Sequence, residues 1–363
     1  MGHGMARALK LLVGLLLACV AGTARADAVG ERHLVAQQPS AALRDADHRT
    51  ALRITVWYPA VDGVDERSLD IGPPGGTLFY VGSAAPDAAF ADARRRPVIL
   101  FSHGYGGSAR MMGWFTTSLA RAGFVVVAVD HPGNNSADKK TAAGAMLFWD
   151  RADDLRVALA AARADPEIGA HMDMRRVGAA GYATGGFAAL AAAGAQVDFD
   201  RWVSFCRQRP TDGTCGPQLE FPLTLDEGLK ALEAPELAAE VAHARDDHTI
   251  PEVRAAFAIA PAIVQSLTPD SLRGLRTPVA IVVGDDDDVI PANTNGGTAA
   301  REIPGAELKV LPGVGHYDFM STCSAAGMAV VEECQRVKVS QDRAHEPTLQ
   351  TAYRFFVRRL GQP

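Results

Sequence analysis

The sequence predicts an α/β protein: a mostly parallel central sheet, helices on both faces, and an inserted cap. Three observations predict it. Short continuous apolar runs, Val98-Ile99-Leu100-Phe101 and Phe124-Val125-Val126-Val127-Ala128-Val129 among them, read as strands buried on both faces. Alanine- and leucine-rich stretches of helical character separate these runs, the alternation that builds parallel sheets. Of 363 residues, 48% are hydrophobic and 21% charged, which suits a globular chain and excludes a disordered, collagen-like or coiled-coil one.

The first 26 residues read as a cleaved secretory signal. Arg7 and Lys10 supply the positive start, residues 11–20 the apolar core, and Ala24-Arg25-Ala26 the small residues that a signal peptidase reads. The apolar run is too short for a membrane anchor, which needs about 20 residues. A lipoprotein signal through Leu16-Leu17-Ala18-Cys19 fits less well, because of its second leucine. The expected product is one secreted or periplasmic domain over 27–363. The full chain's 36 basic and 42 acidic residues give a formal charge of −6, and loss of Arg7, Lys10 and Arg25 with the leader would make it −9, so nothing suggests a basic face for nucleic acid.

Along that domain, residues 52–58 alternate like a strand. The runs at 97–101 and 124–129 follow, with a helix expected over 111–121 between them, where Met111, Met112 and Trp114 take core positions. A second helix is expected over 151–163, then a strand at 176–181 and a small-residue helix at 185–193. Further buried strands are expected at 255–260 and 279–283, a last strand at 306–311, and a closing helix at 347–360. Residues 196–252 break the rhythm. They contain no convincing buried strand, and because the sheet pattern resumes afterwards they read as a cap over the strand ends rather than a separate domain.

Removal of Cys19 with the signal leaves Cys206, Cys215, Cys323 and Cys334. An even count in an exported chain suggests disulfides. Of three connectivities, the sequence-local pairs Cys206–Cys215 and Cys323–Cys334 are favoured. No Cys-x-x-Cys is present to suggest a zinc ribbon or a thioredoxin-like site.

The chemistry-bearing residues sit at strand ends. Gly181-Tyr182-Ala183-Thr184-Gly185-Gly186 joins a strand to a small-residue helix, the setting of a nucleophile elbow. The third position, where the elbow carries serine, is Ala183, which has no hydroxyl. Thr184 follows it, but an elbow projects only one side chain into the site. Gly284-Asp285-Asp286-Asp287-Asp288-Val289-Ile290-Pro291 follows the 279–283 strand and supplies a carboxylate; Asp287 is preferred, with Asp286 or Asp288 as alternatives. A calcium loop is disfavoured there, because the spaced ligands and following glycine are missing. His316, in Gly315-His316-Tyr317-Asp318-Phe319, comes next, and nucleophile, acid, histidine is the order of this triad. A merely structural His316 is the competing reading. Upstream, Ser102-His103-Gly104-Tyr105-Gly106-Gly107 forms a turn whose Tyr105 N–H, with that of Thr184, would bind an oxyanion. His131 reads as a structural loop histidine, and Asn134-Asn135-Ser136 as a chance glycosylation sequon.

Together these motifs, with Asp130-His131-Pro132-Gly133-Asn134, resemble the bacterial dienelactone-hydrolase-like and platelet-activating-factor-acetylhydrolase-like branch of the α/β-hydrolases. The resemblance covers roughly residues 50–360 and is weakest across the cap. It implies the α/β-hydrolase fold and hydrolysis of small or polymeric carboxylic esters, or of lactones, without metal or organic cofactor. The departure is Ala183. An engineered Ser→Ala exchange is favoured over natural loss, since a drifting chain has no reason to keep the acid, histidine and oxyanion turn. A natural non-catalytic binder of ester-like molecules is the alternative, and an amidase or peptidase a weaker one. No motif specifies an oligomeric state.

Overall fold

The computed structural model describes residues 28–363. The leader expected over 1–26, with Cys19, lies outside them. Strands β1 (Ala28–Gln37) and β2 (Ala51–Ala60) form a long antiparallel ladder, with the short helix α1 (Ala41–Arg44) between them. The short strands β3 (Arg67–Ser68), β4 (Phe79–Tyr80) and β5 (Ser83–Pro86) follow. The regular alternation then begins: β6 (Arg96–Ser102), α2 (Gly113–Arg121), β7 (Val125–Asp130), α3 (Ala142–Met146), α4 (Asp150–Ala164), α5 (Pro166–Ala170), β8 (Met172–Tyr182) and α6 (Thr184–Ala192). Helices α7 (Phe199–Gln208), α8 (Leu225–Leu232) and α9 (Ala238–His243) interrupt it before β9 (Val253–Ile259). The chain closes with α10 (Pro269–Gly274), β10 (Val279–Gly284), α11 (Gly296–Glu302), β11 (Glu307–Leu311), β12 (Thr322–Cys323), α12 (Ala325–Val330), α13 (Glu332–Gln335) and α14 (Asp342–Leu360).

Ten strands form one sheet in the order β11-β10-β9-β8-β6-β7-β2-β1-β5-β3. Strands β6 to β11 are parallel to their neighbours within that set, and β2 runs antiparallel to β7. The apolar runs sit at its centre: Val98 to Phe101 and Val125 to Val129 have no exposed surface. Burying a single Val, Leu, Ile or Phe side chain contributes about 1.5–3 kcal/mol, so this unbroken stripe fixes the sheet. From β6 the chain crosses to β7 on one side and returns to β8 on the other. Loops leaving the carboxyl ends of β6 and β8 therefore diverge and open a crevice.

The structure extends several sequence expectations. Strand β8 begins at Met172 rather than 176, and β1 has no counterpart in the sequence reading, since Val35 on its exposed face breaks the apolar–polar alternation. The last helix begins at Asp342, with Pro347 inside it. Its extra turn is anchored by His345, which stacks on Trp114 at 3.8 Å and bonds the Met320 carbonyl at 2.7 Å. Residues 196–252 contribute no strand to the main sheet. They hold α7 to α9 and a 3-10 turn at Gly213–Cys215, and Gly228 of α8 packs against Met146 of α3. Two disulfides, Cys206–Cys215 and Cys323–Cys334, close local loops. No helix of the described residues is long and apolar enough to cross a membrane.

Candidate active site

The end of β8 turns into α6 through Ala183, whose φ of 51° and ψ of −117° lie where a side chain is strained. The surroundings over-determine that conformation. The Ala183 N–H bonds the Ile259 carbonyl at 2.9 Å, and its own carbonyl accepts from the N–H groups of Gly186, Phe187 and Ala262. The turn is also too tight for side chains: a Cβ on Gly185 would lie 1.9 Å from the Ser102 carbonyl oxygen, and one on Gly181 2.1 Å from that of Gly185.

His316 follows β11. Asp318 holds its loop by accepting from the Gly315 and Lys338 N–H groups at 2.7 and 2.8 Å. His316 Nδ1 lies 2.8 Å from Asp287 Oδ2, a geometry in which Nδ1–H donates and Nε2 is left to face a substrate. The other oxygen of Asp287 accepts from the Val289 and Ile290 N–H groups at 3.1 and 2.7 Å. The remaining aspartates of that run point elsewhere. Asp285 accepts from the Gly313 N–H at 2.6 Å, while Asp286 and Asp288 pair with Lys338 at 3.3 and 3.4 Å. Four diverging carboxylates do not make a calcium loop.

The turn after β6 brings Tyr105 to the same place. A Cβ on Gly104 would sit 2.9 Å from the Tyr182 ring and 3.5 Å from the Ala183 Cβ, so the turn closes against the elbow. Arg151 donates to the His103 carbonyl at 2.7 Å and to Asn134 Oδ1 at 2.6 Å, and Asn134 Oδ1 in turn accepts from the Gly106 N–H at 3.0 Å. Among the described residues, the Tyr105 and Thr184 N–H groups have no hydrogen-bond acceptor. Asn134 and Asn135 are buried, which disqualifies the sequon.

Tyr105, Ala183, Thr184 and His316 line one cleft, partly open to solvent, with Phe148, Trp202, Leu223 and Ile263 as apolar walls. A second cleft shares Tyr105, Tyr182 and Glu220 with it. Glu220 was not found by sequence reasoning. It belongs to no motif and comes from the 196–252 segment, where Tyr105 also donates to the Phe221 carbonyl at 3.2 Å. Burial pushes its carboxyl up to about 7, helped by Glu333 and opposed by its own N–H, His316 and Lys140.

A second serine–histidine–aspartate chain lies beneath the site. Ser102 Oγ is 2.8 Å from His131 Nε2, and His131 Nδ1 is 2.8 Å from Asp154 Oδ2, which Arg44 clamps with two bonds of 2.8 Å. Ser102 and Asp154 have no exposed surface, His131 has 1%, and none of the three lines either cleft. This chain ties the ends of β6 and β7 to α4 and α1.

A sheet crossing at its centre, a strained strand-to-helix elbow and a histidine–carboxylate pair after the last strands define an α/β-hydrolase. The profile of the alpha/beta hydrolase family matches residues 98–331, and the chain belongs to that family. In structure it is similar to a ferulic acid esterase from Streptomyces cinnamoneus, at 21% identity and a TM-score of 0.61, covering 94% of this chain and 92% of that one. A dienelactone hydrolase from Anabaena variabilis is more distant: 14% identity, TM-score 0.47, 92% and 99% covered. So is a thermophilic esterase from Thermogutta terrifontis, at 19%, 0.44, and 91% and 92%. At these identities likeness establishes the fold alone. A search of curated proteins finds no match.

Proposed function

We propose that this chain carries the binding and proton-transfer parts of a secreted carboxylic ester or lactone hydrolase, with alanine standing where a serine nucleophile belongs. The observation that carries this reading is the Asp287–His316 pair, which opens onto the same cleft as the strained elbow at Ala183. With serine at 183, the hydroxyl oxygen attacks the acyl carbon while His316 Nε2 takes its proton. Asp287 holds the imidazolium. The Tyr105 and Thr184 N–H groups receive the oxyanion, each donor contributing about 3 kcal/mol to the transition state. His316 returns the proton to the departing alcohol, and a water activated by the same nitrogen releases the acid. The clefts on either side of Tyr105, Tyr182 and Glu220 offer room for both halves of an ester.

As it stands, the chain binds without the covalent step, and residual turnover is expected at ~10³ over the rate in water. The missing hydroxyl at Ala183 is shared by the second reading, a natural binder of ester-like molecules. Two disulfides support the exported location.

Ala183→Ser separates the two readings. The variant is expected to hydrolyse short p-nitrophenyl esters at least ~10³-fold faster than the parent. A folded variant inert toward esters, lactones and anilides alike would overturn the hydrolase reading, and turnover of anilides alone would move it to an amidase.

A further inference from the structure

We propose that Asp153, His243 and His248 form a structural zinc site that fastens the return of the 196–252 segment to helix α4. Asp153 sits in the first turn of α4, His243 ends α9, and His248 lies in the following loop. His243 Nε2 and His248 Nδ1 each lie 2.9 Å from the same oxygen, Asp153 Oδ2, and the three ligand atoms are all within 4.8 Å of one another. A tetrahedral ion with bonds of about 2.0–2.2 Å sets its donors a little over ~3 Å apart.

The hydrogen-bond accounting favours a cation. His243 Nδ1 lies 2.7 Å from Asp246 Oδ2, so Nδ1–H donates there and Nε2, 2.9 Å from Asp153 Oδ2, is the ring atom that would hold an ion. A carboxylate behind a ligating imidazole is the usual outer support of a metal-bound histidine. An independent observation lies alongside. Asp150 is fully buried and neither of its oxygens accepts a hydrogen bond, its one ion pair being to Arg44 at 3.1 Å. It stands within 4.8 Å of ligand atoms of Glu240 and His243. Asp150, Asp153, Asp154 and Glu240 thus gather in one region, where Arg44, Arg151 and Arg156 are the neighbouring cations, and an ion at Asp153 would add a further positive charge among these carboxyl groups.

Two imidazoles and a carboxylate select zinc over calcium or magnesium, which take all-oxygen sets. A concavity lined by Glu240, His243 and Asp246 gives water a way to the fourth position. None of the three ligands lines the cleft at Ala183, so the role is structural. The tie reaches the cleft wall indirectly, because Trp149 donates to the Glu240 carbonyl at 3.1 Å beside cleft-lining Phe148.

The test uses the whole exported chain without a histidine tag, stripped with EDTA and titrated with zinc chloride. One equivalent is expected to bind and to raise Tm by several degrees, with calcium and magnesium chloride producing no shift. His243→Ala and His248→Ala should each abolish both effects. Asp246→Asn, which spares every ligand, should weaken binding about 10–100-fold. Cobalt(II) substitution should give the visible bands of a four-coordinate N/O site. The proposal is overturned if the stripped chain binds less than one equivalent, or if binding and the Tm shift survive in His243→Ala.

Discussion

The position proposed for the nucleophile is also a position under strain. A backbone held at φ 51° costs an alanine about 1–3 kcal/mol, whereas glycine adopts it freely. Glycine loses about 0.4–1 kcal/mol of that gain through a more disordered unfolded chain. Ala183→Gly is therefore expected to be more stable by about 1 kcal/mol in urea unfolding; a destabilised variant would contradict an elbow under strain. Glu220 supplies a second residue-level prediction. Its carboxyl titrates at about 7 when folded and near 4.5 when unfolded, so the folded state holds the proton more tightly. Its contribution is full below 4.5 and is lost as pH rises toward 7. The Tm advantage of Glu220→Gln over the parent should accordingly grow between pH 5 and pH 8. Legibility was uneven at this scale. Asp287 and His316 stand on short motifs after strands, where spacing singles them out. Glu220 reaches the site only because the 196–252 segment folds over the β6 turn, and no local pattern encodes that contact.

Elements with two buried faces were the most legible, because a continuous apolar run has few other places to go. Strands β6, β7, β9 and β10 fall within a residue or two of their expected limits. Strand β1 escaped because its partner β2, not its own pattern, holds it in the sheet. Helix α14 starts early for a comparable reason: contacts made by His345 outweigh the break that Pro347 suggests. Within the 196–252 segment, the Cys206–Cys215 bridge joins α7 to the turn carrying Thr214, which accepts from Asn295 at 2.8 Å. A loop of this length stabilises by about 2–3 kcal/mol. The double variant Cys206→Ser, Cys215→Ser should lose that much in denaturant unfolding. In the Ala183→Ser background it should also raise KM more than it lowers kcat, since Cys215 lines the cleft and touches no reacting atom.

At the scale of the molecule, burial holds His131 and His345 in neutral form. Burial, with Arg151 and Arg44 nearby and Asp154 opposing, pushes His131 down to about 3. Burial pushes His345 down to about 4, against the pull of the Met320 carbonyl. Unfolding lets both take up protons near pH 6.5, so their contribution is present above that value and is lost as pH falls toward 4. A Tm that drops between pH 7 and pH 5 is the expected outcome, and an unchanged Tm would argue against neutral burial. The sealed chain of Ser102, His131 and Asp154 carries a further consequence for recognising such proteins. A geometric template for a serine triad would match residue 102, where every atom is in place and no acyl group can arrive. The open site at 183 would pass unnoticed for want of one oxygen. Reactivity here follows exposure rather than constellation, so a fluorophosphonate label should leave this chain unmarked despite its well-formed triad.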